Sequence, residues 1–190
     1  MSVGGTAVRA VTAKPGTGVR LVAGGMVAWC IGFAAVNVVM EATGRFDHGA
    51  LAQYATGLAL VQWLVVGIKL VGALAAVLTV VEWPRRVPAS ARTQLVWGAF
   101  ALLALYSAGN VVQLGHLIGA EPEQITAWSL GYVAFFAVAA AGYGVLAVSH
   151  FRRSGRNRRS AVLGAVGAPV LLGLLLAAGP ALGAAGLLPG

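Results

Sequence analysis

The chain has 190 residues, of which 59% are hydrophobic and 9% charged, with a mean hydropathy of +0.86 and a formal charge of +8. Soluble domains carry about 25% charged residues, so this composition excludes a polar-coated globular domain and predicts an integral membrane protein. The basic residues sit in short patches between apolar runs, a pattern that orients membrane proteins and argues against a nucleic-acid partner.

Residues 1–20, with Arg9, Lys14 and Arg20, read as a cytoplasmic N-terminal tail. The first apolar run, 21–40, has no charge and no small-x-small cleavage site, so an uncleaved first helix is expected. A mixed loop, 41–57, carries Glu41, Arg45, Asp47 and His48. The second run, 58–81, is almost wholly apolar; as a helix it would be about 36 Å long, enough for a bilayer core of about 30 Å. Its one charge, Lys69, lies near its middle. A proline-stopped turn follows, with Trp83, Pro84, Arg85, Arg86 and Pro88, and Arg92 just beyond. A third span is expected over 94–117, a short acidic loop with Pro122 over 119–124, and a fourth span over 125–149. Arg152, Arg153, Arg156, Arg158 and Arg159 crowd the next loop. The last run, 161–188, is apolar and expected to be broken by Pro169 and Pro180.

The predicted fold is thus an all-α integral membrane protein with five transmembrane helices. It divides into the tail, a four-helix core over 21–159, and a fifth helix with a short external C-terminus over 160–190. Basic residues fill the tail and the second and fourth loops, while the first loop has Arg45 and the third none. The positive-inside rule places the N-terminus in the cytoplasm and the C-terminus outside a plasma membrane. Trp83, Trp97 and Trp128 fall near span ends, as interfacial aromatics do. Phe33 and Asn37, followed by Val38 and Val39, match Tyr106 and Asn110, followed by Val111 and Val112. This suggests two parallel helix pairs with an added fifth helix.

A charge at the depth of Lys69 costs about 2.5–3.5 kcal/mol or more, so such residues face a bundle interior. Helical rotation puts Cys30, Ala34, Asn37 and Glu41 on one stripe of span one. Gln62 shares a face with Lys69. Tyr106, Asn110 and Gln113 share one on span three, with His116 at its edge; Ser129, Tyr132, Phe136 and Tyr143 align on span four. Counted from the outer ends, Asn37, Gln62, Gln113 and Tyr132 lie about 5–10 Å deep, Asn110 about 12 Å, and Lys69 and Tyr106 about 18 Å. Facing stripes would form a polar cleft open to the outside, with Lys69 at its floor and Glu41 and His116 at its rim. The same Asn and Gln residues also serve as interhelical hydrogen bonds in membrane bundles, and Lys69 could equally meet a buried structural partner or another subunit.

No His/Cys/Asp/Glu cluster has metal-ligand spacing and no nucleotide-binding motif is present, so no cofactor is expected. The single cysteine, Cys30, excludes an intramolecular disulfide. Arg152, Arg153, Arg156, Arg158 and Arg159 form a patch suited to anionic lipid headgroups. Gly179 and Gly183 give a small-xxx-small spacing, and residues 161–188 are a candidate surface for a second copy or a membrane partner.

The Trp-Pro-Arg-Arg loop after span two, the acidic loop after span three and the Arg-rich end of span four resemble small multi-pass membrane proteins of high-GC bacteria without assigned activity. The resemblance implies a fold class and no residue role. The function expected from the residues is that of a binding or accessory protein. Its cleft would hold an amphipathic or anionic ligand, or the chain would be a subunit of a larger membrane complex. The alternatives are a transporter or channel component, and a membrane enzyme acting on a lipid or isoprenoid-like substrate through Lys69 or Glu41.

Overall fold

The computed structural model describes residues 14–45, 48–49, 52, 55–81, 87–155 and 157–184, with side chains as far as 177. Among them five long helices follow one another: α1 Thr17–Ala42, α2 Ala55–Val80, α3 Ala89–Ala120, α4 Ala127–Arg153 and α5 Arg158–Ala184. Each is long and apolar enough to cross a membrane, so the chain is a multi-pass, all-α membrane protein. Expectations on Arg9, Trp83, Arg85, Arg86, Arg156 and residues 185–188 lie outside the described residues.

The helix ends have local causes. The chain enters α1 and α3 through Gly16 and Pro88, both extended in ψ, so neither helix can start earlier. Pro122 begins a separate 3-10 turn, Pro122–Gln124, and not α4 itself. Thr126 starts α4: its hydroxyl accepts from the Ser129 N–H at 3.1 Å, while Ser129 Oγ accepts from the Thr126 N–H at 2.9 Å. Asn157 caps α5 by accepting from the Ser160 N–H at 3.2 Å. Gly155, at φ +81°, makes the tight turn between α4 and α5. Pro169 and Pro180 were expected to break the last run, yet α5 is continuous through both. Proline is tolerated in spanning helices where neighbours and local adjustment satisfy the freed carbonyl.

The helices alternate in direction. Lys14 before α1, Val81 after α2, Arg92 on the first turn of α3 and Arg153 at the end of α4 line one small cavity at one end of the bundle, here the basic end. α1 packs along α2 and α3 along α4; the two hairpins meet across α1–α4 and α2–α3. Their centre is built from small residues, Ala23, Ala73, Ala76, Ala139 and Ala147, closed by Met26, Tyr143 and Leu146. Small side chains let backbones approach, which is the main source of helix association where lipid removes the hydrophobic drive. Gly142 leaves the space Met26 occupies, and Gly72 leaves room for the Tyr143 hydroxyl against Cys30 Sγ at 3.1 Å.

α5 packs along α3. A Cβ on Gly98 would stand 2.9 Å from the Ala168 Cβ, and one on Gly164 would collide with the backbone of Gln94. Among the described side chains Gly164 and Ala168 make a small-xxx-small contact with α3; Gly179 and Gly183 lie beyond them. The opposite side of α5, with Val162, Leu163, Val166, Val170 and Leu174, is exposed and apolar, as a lipid-facing side must be.

Candidate functional site

Lys69 is 8% exposed, on the face of α2 turned toward α1 and α4. Its ammonium lies 3.8 Å from the Trp29 ring centroid, 4.6 Å from Phe33 and 5.3 Å from Phe136. Trp29 and Phe33 are four residues apart on α1 and therefore present one face, their rings stacked at 5.7 Å. Phe136, on α4, meets both edge-on at 5.6 Å, and Phe135 closes the cluster behind Trp29 at 5.3 Å. The ring faces carry the negative part of the aromatic quadrupole, and a desolvated cation–π contact is worth about 2 kcal/mol. The box thus offsets much of the cost of a charge at this depth.

The ring faces satisfy charge but not hydrogen bonding: an ammonium has three N–H donors. Among the described residues no carboxylate meets them. Tyr106, expected at the depth of Lys69, and Asn110 are both engaged elsewhere. The Tyr106 and Tyr132 hydroxyls are joined at 2.5 Å, with both rings against Phe136 at 4.7 and 4.8 Å. The Asn110 amide donates to the Tyr106 carbonyl at 2.8 Å, and Asn37 makes the same bond to Phe33, also at 2.8 Å.

A cavity of about 1250 Å³ opens beside the box. It lies between α2 and α5 with α3 as its floor, and reaches from Ala91 and Leu163 near the basic end to Asn37 and Tyr132. Of the residues singled out in the sequence, Lys69, Asn37, Tyr106 and Tyr132 line it, while Gln62, Asn110, Gln113, Glu41 and His116 do not. Gln113 and His116 are exposed near the end of α3, and Gln62, Asn110 and Glu41 are partly buried. The space departs from a polar cleft in that most of its wall is apolar, including Leu95, Leu102, Leu103 and Leu172. α5, outside the expected four-helix core, supplies one wall from Leu163 to Leu175. Trp63, Leu163, Leu171 and Leu175 at its edges are each more than half exposed, so the cavity opens sideways between α2 and α5.

Sequence reasoning missed Trp29 and Phe33 as the partners of Lys69. Rings do not register in a search for polar stripes, although a signal existed. Trp29 lies about 18 Å from the start of α1 and Lys69 about 16 Å from the end of α2, at the same end of the bundle. Among the described residues no three His, Cys, Asp or Glu side chains converge on a metal position. No protein-family model matches the chain, and neither a curated protein nor a solved structure matches it.

Proposed function

We propose that this chain is a membrane-resident binding protein for an amphipathic lipid with an acidic head. The apolar chain lies in the cavity between α2, α3 and α5, and the head sits against Lys69. The carrying observation is the ammonium of Lys69, which among the described residues is held by ring faces, on the wall of a cavity of about 1250 Å³. Ligand cavities commonly run to about 300–1,000 Å³, so the space suits a long ligand. An anion completes the donors that the rings leave unused, in surroundings of low dielectric where such a pair is strongest. The Tyr106–Tyr132 pair stands nearby to orient the head. The sideways opening favours a ligand that arrives from the bilayer over a solute from water. In this proposal the protein resides in the plasma membrane with the basic end in the cytoplasm and the C-terminus outside.

The test is native mass spectrometry of the detergent-purified protein with lipid extraction in parallel. The wild type is expected to carry an acidic single-chain or isoprenoid lipid. Lys69→Met should fold and lose it, and Lys69→Arg should keep a part of it. Equal lipid content in wild type and Lys69→Met, or a wild type free of lipid at the mass of the bare chain, would overturn the proposal.

A further inference from the structure

A second group of cations at the basic end lies apart from the Lys69 cavity. Lys14, Arg92, His150, Arg153 and Ser154 line a separate cavity of about 80 Å³, capped by the end of α2 at Thr79 and Val81. His150 is 6% exposed, and its Nε2 is sealed from solvent with no hydrogen-bond partner among the described residues. The same is true of Arg92 Nε and Ser154 Oγ. Sealed polar atoms of this kind are uncommon, because a buried donor without a partner costs about 1–3 kcal/mol. Arg153 is placed within the fold, donating to the Thr79 carbonyl at 3.0 Å and the Ser149 carbonyl at 3.2 Å.

The local helix ends add to the imbalance. α3 begins here with no side-chain cap and no acidic residue in its first turn. A helix N-terminus carries partial positive charge and favours an anion, yet its first turn bears Arg92. No carboxylate of the described residues lines the cavity. Glu82, Arg85 and Arg86, which follow Val81 in sequence, lie outside the described residues.

We propose that this cavity is a binding site for a phosphate group. Arg92, Arg153 and Lys14 supply the charge and the hydrogen bonds. Guanidinium groups match the oxygens of a phosphate in geometry and charge. A space of about 80 Å³ takes a phosphate-sized group. The phosphate is either free in solution or the terminus of a lipid monoester lying at the membrane surface. The exposed Arg158 and Arg159 are outside this site, so it differs from a diffuse basic patch.

The full chain is tested by thermal unfolding, in neutral detergent titrated with inorganic phosphate, and in phosphatidylcholine nanodiscs with and without phosphatidic acid. Protection by inorganic phosphate assigns the site to the free anion; protection by phosphatidic acid alone assigns it to the lipid headgroup. In either case Arg92→Gln should weaken the half-saturation by about tenfold or more, since it removes a charge-assisted contact. The double variant Arg158→Gln/Arg159→Gln removes more charge from the same end and should stay within about twofold of wild type. Lys14→Gln, outside the helices, gives the same direction as Arg92→Gln should the latter not fold. No protection by either phosphate source would overturn the proposal. So would equal losses in the Arg92 and Arg158/Arg159 variants. A third overturning result is a Glu82→Gln variant that loses stability in the wild-type background but not with Arg92→Gln, which makes the partner an internal carboxylate.

Discussion

Lys69 stands out in the sequence because a single charge in a 24-residue apolar run has to be accounted for energetically. What accounts for it is not legible in the polar residues. The partners are Trp29 and Phe33, which look like ordinary apolar filling until their heights and the four-residue spacing are set against Lys69. The box predicts a measurable coupling. Trp29→Leu and Lys69→Met, made singly and together, should give an interaction energy of about 1–2 kcal/mol in reversible unfolding, the worth of a desolvated cation–π contact. A value within error of zero would leave the lysine unconnected to the ring. Lys69→Met alone should be neutral or stabilising, because an apolar chain of similar length replaces a buried charge that has no carboxylate partner among the described residues. The Asn37 and Asn110 amides each return to the carbonyl four residues back. Their burial depth was legible, but their hydrogen bonds are local to one helix and not shared between helices.

At the scale of elements, the five spans were legible because length and hydropathy alone define a membrane helix. The stripe on α1 also emerged, since Cys30, Ala34 and Asn37 are all buried. The place of α5 was not legible, because its apolar residues look alike whether they face lipid, protein or a cavity. Its packing depends on two small residues, Gly164 and Ala168, where α3 offers Gly98 and the Gln94 backbone. A side chain at Gly164 has nowhere to go without moving backbone. Gly164→Val is therefore expected to lever α5 from α3 and to lower stability by about 1–3 kcal/mol, the usual cost of overpacking. Gly167→Val, one turn on, meets nothing within 4 Å and serves as the control; a loss as large there would mean the effect is not packing. Because α5 also walls the large cavity, a chain truncated after Arg159 should still insert but no longer retain the proposed lipid. Lipid retention by the truncated chain would show that α5 takes no part in binding.

For the whole molecule, the 73 residues that separate Asn37 from Asn110 also separate Val80, the end of α2, from Arg153, the end of α4. Both hairpins carry an Asn bonded to the carbonyl four residues back, yet they differ at the site: 73 positions after Lys69 stands Gly142, whose space Met26 fills. The cation box therefore has Lys69 of α2 against α1 and Phe136 of α4. The same scaffold gathers charge at one end. Lys14, Arg92 and Arg153 meet there, and Arg20, Arg152, Arg158 and Arg159 belong to the same helix ends. The opposite end holds Glu41, Arg45, Glu121 and Glu123. Lys and Arg beside short loops are retained in the cytoplasm while Asp and Glu contribute little, and the proposed orientation rests on this asymmetry. In a Cys30→Ser background, which keeps a hydroxyl for Tyr143, a cysteine at the exposed Asn157 should resist a membrane-impermeant maleimide in intact cells and react after permeabilisation. A cysteine at the exposed Glu123 should react in intact cells. The reverse pattern would invert the topology, place the phosphate cavity outside the cell, and make an extracellular anion its occupant.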